Sequence, residues 1–378
     1  MLFSAIPAHT DLKRVLTQAA RRGHVAHAQL FRGAEGSAAL ALALAYATFL
    51  NCEGRAEADE DSCGTCASCL KTSKLAHPDL NFIFPVTTTK AVSKDATSQK
   101  FAAEWRAFLL ENPYQGFNDW MQFIGAENRQ GSIAKDEAGA LLKLVSLKAF
   151  EAKFKIAIVW LPELMHPAAA NAVLKLLEEP PGATVFLLVS HAPEQLLPTI
   201  LSRVQPVVVR PLREDELTAY LRDAQHLPEA KARQVAQLAE GNIGAALDSR
   251  EKSADHDYFA FFREWMRLCF GFHTKAAEIL KQSEEFQKLG RENQKELLSY
   301  ALGLLRKVLL YGLDPALVPH LPAAEQDFIH RFSRFITLRN ADQLTQELND
   351  AHYHVERNAN PRMVFVDTSL RVGGLLKI

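Results

Sequence analysis

Two nearly continuous apolar runs constrain the fold of this chain more than any other feature. Residues 155–160 read Lys-Ile-Ala-Ile-Val-Trp, and residues 184–190 read Thr-Val-Phe-Leu-Leu-Val-Ser. Runs of this kind are typical of strands that are buried on both faces of a parallel sheet. A helix is expected between them over 167–179, where two prolines and a glycine end it. The alternation predicts an α/β domain with a mainly parallel sheet. Two further strands are expected at Leu30–Arg32 and Leu80–Pro85.

The segment 28–50 has the layout of a phosphate-binding loop but lacks the residues that bind phosphate. A short apolar strand leads into a turn with Gly33 and Gly36, and an Ala/Leu-rich helix is expected over 37–50. A functional loop places a Lys and a Ser or Thr after its last Gly, to hold the phosphates and magnesium. Here positions 38–40 hold Ala-Ala-Leu. Because the charge that stabilises a triphosphate is missing, we expect no ATP hydrolysis by this chain.

The apolar strand at 156–159 lacks a carboxylate that an ATPase would need. Such enzymes hold magnesium with an acidic residue at the end of a second strand. Here the strand Ile156–Val159 ends in Trp160-Leu161, where an Asp-Glu pair would stand. Glu163 follows two residues later and could serve a shifted site, but we expect it to begin a helix. The missing loop residues and the missing acidic pair both indicate a chain that does not hydrolyse ATP.

Four of the five cysteines form a cluster that predicts a metal site. Cys52, Cys63, Cys66 and Cys69 have the spacing C-x10-C-x2-C-x2-C, while Cys269 stands alone. Four thiolates without a His predict a closed, structural zinc site with no open coordination position. Redox cysteines and unligated core thiols are the alternative interpretations. The clustering suits a reducing compartment better than a disulfide framework.

Charge and hydropathy exclude several classes of protein. The 43 basic and 44 acidic residues give a net charge of −1, so whole-molecule attraction to nucleic acid is absent and any such contact must be local. No uninterrupted apolar stretch is long enough to span a membrane, and the Ala/Leu run does not resemble a signal peptide. We therefore expect a cytoplasmic protein.

The remaining segments are expected to be helical. The aromatic-rich segment 86–135 is interpreted as a helical excursion whose rings pack on the core, with a partner surface as the second interpretation. Strands nearly vanish after Pro211: three short helices are expected over 213–250, and helical periodicity continues over 253–376.

Several motifs resemble those of bacterial clamp-loader subunits, the AAA+ proteins of DNA polymerase III. Residues 169–181, Ala-Ala-Asn-Ala-Val-Leu-Lys-Leu-Leu-Glu-Glu-Pro-Pro, are similar to the signature helix of that family. Residues 199–204, Thr-Ile-Leu-Ser-Arg-Val, resemble its Ser-Arg-Cys motif with Val204 in place of Cys. The cysteine cluster after the first helix and the segment 356–361, Glu-Arg-Asn-Ala-Asn-Pro, also match.

The resemblance implies a three-part architecture. An AAA+-type parallel sheet domain with a zinc module and a degenerate nucleotide site would cover 1–209. A small helical lid domain would follow over 210–252, and an all-α collar domain over 253–378 would mediate oligomerisation.

The resemblance also implies an assembly role in DNA replication. The lost loop residues and acidic pair set the chain apart from the gamma/tau ATPase subunits, which keep both. Active relatives carry a nucleotide-contacting Arg in the lid, at the place of Gly244 here. A non-hydrolysing subunit of this kind would bind no ATP. It would join gamma/tau and delta subunits in a hetero-oligomer of the polymerase holoenzyme that opens the sliding clamp and places it on primed DNA.

Arg203 matches the family's trans-acting arginine. The resemblance implies that Arg203 stabilises charge on ATP held by a neighbouring ATPase subunit, for which a guanidinium is suited. Lys175, Glu178 and Glu179 are expected at the same subunit boundary, and a solvated helix end is the alternative. Ser190 stands where related ATPases sense phosphate, and we expect it to be structural here.

Two rival functions stay open at this point. The chain could be a divergent gamma/tau-like ATPase that uses Glu163, which saturable ATP binding by the isolated protein would indicate. It could also be a zinc-dependent nucleic-acid-binding module, which salt-sensitive DNA binding would indicate.

Overall fold

The structure, a computed structural model, divides into two compact units that are described separately. It describes residues 1–56, 59–127, 129–135, 137, 139, 141, 148–252, 258–318 and 323–376. The first unit is Met1–Glu251 and the second is Lys252–Ile378. The helices expected to form a lid belong to the first unit, and the three-part division of the chain stays a prediction.

The first unit is built on a parallel sheet. Its described strands are β1 (Ala28–Arg32), β2 (Leu80–Ile83), β3 (Lys155–Trp160), β4 (Thr184–Ser190) and β5 (Gln205–Val208). The spatial order is β2-β3-β4-β1-β5, and each neighbouring pair is parallel. Every residue of β3 and β4 is buried, which confirms the interpretation of the two apolar runs as central strands. β5 was not predicted.

The described residues of the first unit also form ten α-helices. In the first unit they are α1 (Thr10–Arg21), α2 (Ala39–Leu50), α3 (Ala67–Ser73), α4 (Ala102–Glu111), α5 (Phe117–Phe123), α6 (Pro167–Glu178), α7 (Pro198–Leu201), α8 (Glu214–Asp223), α9 (Glu229–Leu238) and α10 (Ile243–Lys252). All twelve residues of α2 are buried, because a helix made of Ala, Leu and aromatic residues has no polar face to expose. The three short helices expected over 213–250 are confirmed as α8, α9 and α10.

The aromatic segment packs onto the core, as the sequence predicted. Trp105 of α4 and Trp120 of α5 are fully buried, and their rings meet edge to face at 5.0 Å. Trp105 also stacks on Phe84 after β2 at 4.1 Å and contacts Trp160 of β3 at 5.0 Å. These large rings attach the segment firmly to the end of the sheet.

In its described part, the second unit consists of helices. They are α11 (Tyr258–Phe270), α12 (Ala276–Lys288), α13 (Arg291–Leu313), α14 (Ala323–Phe332), α15 (Ala341–Glu356) and α16 (Pro361–Leu375). The segment 356–361 ends α15 and starts α16: Asn360 caps α16 by accepting hydrogen bonds from Arg362 and Met363, and Pro361 follows as the first helical residue. None of the helices described in either unit combines the length and apolarity that a membrane crossing requires.

Candidate functional site

The four clustered cysteines meet in the first unit. Cys52 follows α2, Cys63 and Cys66 lie in the next loop, and Cys69 belongs to α3. Their Sγ atoms all lie within 4.8 Å of one another. None of these thiols forms a disulfide bond. The sequence therefore identified the members of this cluster.

Backbone amides point at the sulfur atoms. The amides of Cys63, Cys66 and Cys69 donate to the Sγ atoms of Cys52, Cys63 and Cys66 at 3.3, 3.3 and 3.4 Å. The bond from Cys66 is the main reason why the pKa of the Cys63 thiol is lowered to about 6. Gly54 is needed nearby, since a Cβ there would lie 2.9 Å from the Cys63 Sγ. Four close sulfurs with amide donors fit a tetrahedral ion bound at about 2.3 Å, so the cluster could hold a metal such as zinc.

The phosphate-loop frame has the shape that the sequence predicted, with apolar groups at its functional positions. β1 ends at Arg32, and the loop 33–38 leads directly into α2. Gly36 has a φ of +76°, a conformation that side chains disfavour. Residues 38–40 are buried among apolar neighbours. The side chains at these three positions are therefore methyl and isobutyl groups packed in the core.

Residues at the start of α10 hydrogen-bond to the backbone of this loop. The Asn242 Nδ2 donates to the carbonyl oxygen of Glu35 at 2.8 Å, and the Gly244 amide donates to that of Gly36 at 2.9 Å. The fit is tight, because a Cβ on Gly36 would overlap the Asn242 side chain. Gly244, where active relatives were expected to carry an arginine, therefore lies against the loop backbone.

The aromatic segment 86–135 also contacts this loop, through the first turn of α5. The Glu35 carboxylate accepts a hydrogen bond from the Phe117 amide at 2.8 Å, at the first turn of α5. A Cβ on Gly116 would overlap that carboxylate, and a Cβ on Gly244 would lie 2.5 Å from the Tyr114 carbonyl oxygen. The Glu35 carboxylate thus joins the loop to the first turn of α5.

Glu163 connects the ends of β3 and β4 by hydrogen bonds, and an Asp-Glu pair is absent from the end of β3. Trp160 is buried at the end of β3. The Glu163 Oε1 accepts hydrogen bonds from the amides of His191 and Ala192, just after β4, at 2.9 and 3.1 Å. Our expectation that Glu163 begins a helix was incomplete: it lies in a single 3-10 turn, and its carboxylate bridges two strand ends. Ser190 is fully buried, in keeping with a structural position.

Arg203 lies between α7 and the edge strand β5, and its side chain is held by its own chain. The Nη1 group donates to the Thr199 carbonyl oxygen at 2.8 Å and to the Ser202 hydroxyl at 3.1 Å. The Nη2 group pairs with the Glu178 carboxylate at 2.5 Å. About a third of the Arg203 side chain stays exposed.

The surface around Arg203 combines charged and apolar residues. Glu178 ends α6, and Lys175 and Glu179 are exposed at the same helix end. Leu201 of α7 and Val208 of β5 are large apolar side chains that are 39% and 55% exposed. The structure thus brings Arg203 and Glu178 into contact.

Sequence reasoning missed the residues that close the phosphate loop. Glu35, Gly116 and Asn242 are far apart along the chain, since the hydrogen bonds from Phe117 and Asn242 to Glu35 span 82 and 207 residues. Glycines at 36, 116 and 244 are the available signal, because each marks a close backbone approach. A single sequence does not reveal which segments approach one another.

Comparisons with known proteins place the chain among replication proteins. A family model described as "DNA polymerase III, delta subunit" matches residues 8–213, more than half of the chain. The chain is 32% identical over 187 residues to the DNA polymerase III subunit delta' of Pseudomonas aeruginosa, covering 50% of this chain and 44% of that protein. It is 27% identical over 237 residues to the delta' subunit of Escherichia coli, covering 62% and 57%. The chain spans about half the length of the curated relatives it matches.

A weaker similarity extends to the tau subunits. The chain is 22% identical over 383 residues to the tau subunit of Bacillus subtilis, covering 96% of this chain and 60% of that protein. The first unit is a parallel α/β domain and the described part of the second unit is helical, as the sequence motifs implied. On the family match over residues 8–213, the chain belongs to the DNA polymerase III delta-subunit family, and it is similar to the delta' subunits of that polymerase.

Proposed function

We propose that this chain is a non-hydrolysing clamp-loader subunit that supplies Arg203 to ATP on a neighbouring ATPase subunit. The observation that carries this proposal is the state of the phosphate loop. The carbonyl oxygens of Glu35 and Gly36 and the Glu35 carboxylate are all engaged by the same chain. These oxygen atoms do not bind phosphate, and the buried Ala38, Ala39 and Leu40 provide neither the lysine nor the magnesium-binding hydroxyl that a triphosphate needs.

Arg203 suits a role in trans because of its position and chemistry. It follows a short helix beside an edge strand, with exposed Leu201 and Val208 as its neighbours in the sequence. Arginine is one of the residues that most often dominate binding at protein–protein interfaces. Its guanidinium is permanently charged and can hydrogen-bond the phosphate oxygens in the transition state. In the isolated chain Glu178 holds this group, and Lys175 and Glu179 complete the proposed boundary.

The cysteine cluster supports a structural role for zinc. Four thiolates saturate a tetrahedral ion and leave no position for substrate. Bound there, zinc would connect the end of α2 to α3 through Cys52 and Cys69. We propose that it stabilises this part of the first unit and takes no part in chemistry.

The proposed partners follow from the relatives. The chain would assemble with gamma/tau ATPase subunits and a delta subunit, and through them act on the sliding clamp and primed DNA. A cytoplasmic location also stays a prediction.

The decisive experiment measures hydrolysis at one site of the reconstituted complex. The ATPase subunits that do not adjoin this chain carry a phosphate-loop Lys→Ala substitution, so that only the adjoining site turns over. We expect Arg203→Ala to lower the hydrolysis rate there by about 10³-fold or more, since arginine fingers contribute about 10³–10⁵. Assembly, followed by size-exclusion chromatography, should persist. Arg222→Ala, which removes an exposed arginine in α8, is the matched control and should leave the rate unchanged.

Two results would contradict the proposal. An unchanged rate in the Arg203→Ala complex would remove this residue from the mechanism. Saturable micromolar binding of labelled ATP by the isolated chain would favour the rival function, a divergent gamma/tau-like ATPase.

A further inference from the structure

The second unit carries a cavity on its surface that the proposed function does not use. The cavity has a volume of about 240 Å³ and lies between α11 and α14, at the loop that follows α14. Its lining residues are Arg263, Asp327, Phe328, Arg331, Phe332 and Phe335. An apolar cavity of roughly 150 Å³ accommodates a benzene ring. This cavity is therefore large enough for one aromatic side chain.

The aromatic walls of the cavity are fixed by packing. The rings of Phe328 and Phe332 are stacked with centroids 4.9 Å apart. Phe335 packs edge to face on Phe270 of α11 at 4.6 Å, yet 44% of its surface stays exposed. Leu338 in the same loop is 69% exposed. Rings held in this way form a wall before any ligand arrives.

A buried asparagine holds the loop 333–340 in place. The Asn340 Nδ2 donates to the carbonyl oxygens of Phe335, at 2.8 Å, and Leu375, at 3.1 Å. Its Oδ1 accepts a hydrogen bond from the Thr337 amide at 2.8 Å. Asn340 itself is 2% exposed. The exposed apolar side chains of this loop are thus presented on a rigid support, which lowers the entropy lost on binding.

The cavity is rich in positive charge. Arg263 and Arg331 line it, and Arg334 and Arg339 are exposed on the adjoining loop. Among the described residues that line the cavity, Asp327 is the one carboxylate, and it pairs with Arg331 at 3.0 Å. The Arg263 guanidinium lies over the ring of Phe259, 5.6 Å from its centroid, and keeps its charge available for an anionic partner.

We infer that this cavity binds a protein segment that presents an aromatic side chain next to carboxylates. The aromatic ring would enter between Phe328, Phe332 and Phe335. The carboxylates would meet Arg263 and the arginines of the loop, whose planar guanidinium groups match carboxylates bidentately. Arginine and aromatic residues are the groups that most often dominate binding at protein interfaces, and complementary charge steers the encounter.

A nucleic acid fits this surface less well than an acidic peptide. Non-specific binding of a single strand needs a basic groove that follows the backbone, with flat aromatic platforms along it. Here the aromatic residues line one compact cavity and do not form a row of platforms along a groove. The complementary partner is therefore an acidic protein segment.

The test uses fluorescence anisotropy with the full chain and a fluorescein-labelled acidic peptide that contains a single phenylalanine. We expect saturable binding. Replacement of the peptide's phenylalanine by alanine, or of its acidic residues by their amides, should each weaken binding at least tenfold.

Substitutions in the protein test whether the peptide binds at the cavity or responds only to the overall charge of the protein. Arg263→Glu and Phe335→Ala should each weaken peptide binding at least tenfold, and circular dichroism should show unchanged folding because both side chains are partly or fully exposed. Lys281→Glu, the same charge change at an exposed position of α12, should bind as the unmodified protein does. The inference is overturned if the peptide does not bind, if Arg263→Glu leaves binding unchanged, or if unlabelled single-stranded DNA displaces the peptide more effectively than excess unlabelled peptide.

Discussion

At the scale of single residues, His9 makes the stability of the first unit depend on pH. His9 is 5% exposed, and burial, followed by the nearby charges of Arg210 and Lys13, lowers its pKa to about 4, while Glu216 opposes this shift. An unfolded histidine titrates near 6.5. Between these values the unfolded chain binds more protons than the folded one. Stability is therefore complete above pH 6.5 and is lost as the pH falls through about 4.

Replacing His9 with asparagine should reduce this acid sensitivity. Asparagine is uncharged and tolerates the left-handed backbone at this position, where φ is 57°. One pKa unit corresponds to about 1.4 kcal/mol, so the shift sets an upper limit of about 3 kcal/mol. Allowing for residual solvation, we expect the unmodified protein to lose about 1–2 kcal/mol more than His9→Asn between pH 7 and pH 4.5.

Urea unfolding at the two pH values measures this difference. His24→Asn, at an exposed histidine just after α1, is the control and should keep the acid sensitivity of the unmodified protein. Equal losses of stability in His9→Asn and the unmodified protein would show that His9 does not titrate on unfolding.

At the scale of elements, the contact between the phosphate loop and α10 can be tested by comparing two glycines. Gly23 and Gly36 have nearly the same backbone, with φ of +73° and +76°. A Cβ on Gly23 would meet no atom within 4 Å, whereas a Cβ on Gly36 would overlap Asn242. Both alanine substitutions cost about 1–2 kcal/mol for the left-handed conformation. Gly36→Ala should cost about 1–3 kcal/mol more because of the overlap.

A second substitution identifies the source of that extra cost. Asn242→Ala removes the overlapping side chain, so the penalty of Gly36→Ala should be smaller in the Asn242→Ala background than in the unmodified protein. Thermal unfolding of the four proteins measures the coupling. If the changes in stability of the two single variants simply add in the double variant, Asn242 does not cause the extra cost of Gly36→Ala.

Strands that are fully buried could be predicted from the sequence more accurately than the exposed edge strand. β3 and β4 were predicted with their observed bounds, because strands buried on both faces contain almost no polar residues. β5 was missed: it is four residues long, contains Pro206 and exposes three of its side chains, so it has little apolar pattern. A proline is tolerated there because the strand lies at the sheet edge.

The parts of the candidate site whose residues lie close together in the sequence could be predicted. The cysteine spacing identified all four members of the cluster, since paired Cys-x2-Cys spacings are typical of metal ligands. The closure of the phosphate loop was not predictable, because it depends on where Asn242 and Phe117 arrive after folding. Arg203 was found through a motif, but its pairing with Glu178 required the structure.

At the scale of the whole molecule, the two units contain separate cores. The apolar clusters around the sheet contain Trp105, Trp120 and Trp160, whereas the helical unit has its own cluster around Trp265 and Phe365. Units with independent cores need not unfold in one step. We expect calorimetry to resolve two transitions, one for each unit.

A metal at the cysteine cluster should affect only the transition of the first unit. Structural zinc contributes about 10–16 kcal/mol to folding in small zinc domains, and the cluster lies entirely in the first unit. A chelator or Cys63→Ser should therefore lower one transition temperature and leave the other unchanged. Elemental analysis should find one metal ion per chain, lost in Cys63→Ser but retained in Cys269→Ser, which alters a buried cysteine of the helical unit.

The opposite pattern is expected when the core of the helical unit is weakened. Phe365 is buried and stacks on Trp265 with ring centroids 4.8 Å apart. Truncation of such a phenylalanine to alanine costs about 3–5 kcal/mol, enough to lower the transition of a domain of this size by about 10 °C or more. Phe365→Ala should thus shift the transition that the chelator leaves unchanged. If both treatments moved the same transition, or if a single transition moved with each, the two units would fold as one cooperative structure and the metal would stabilise both.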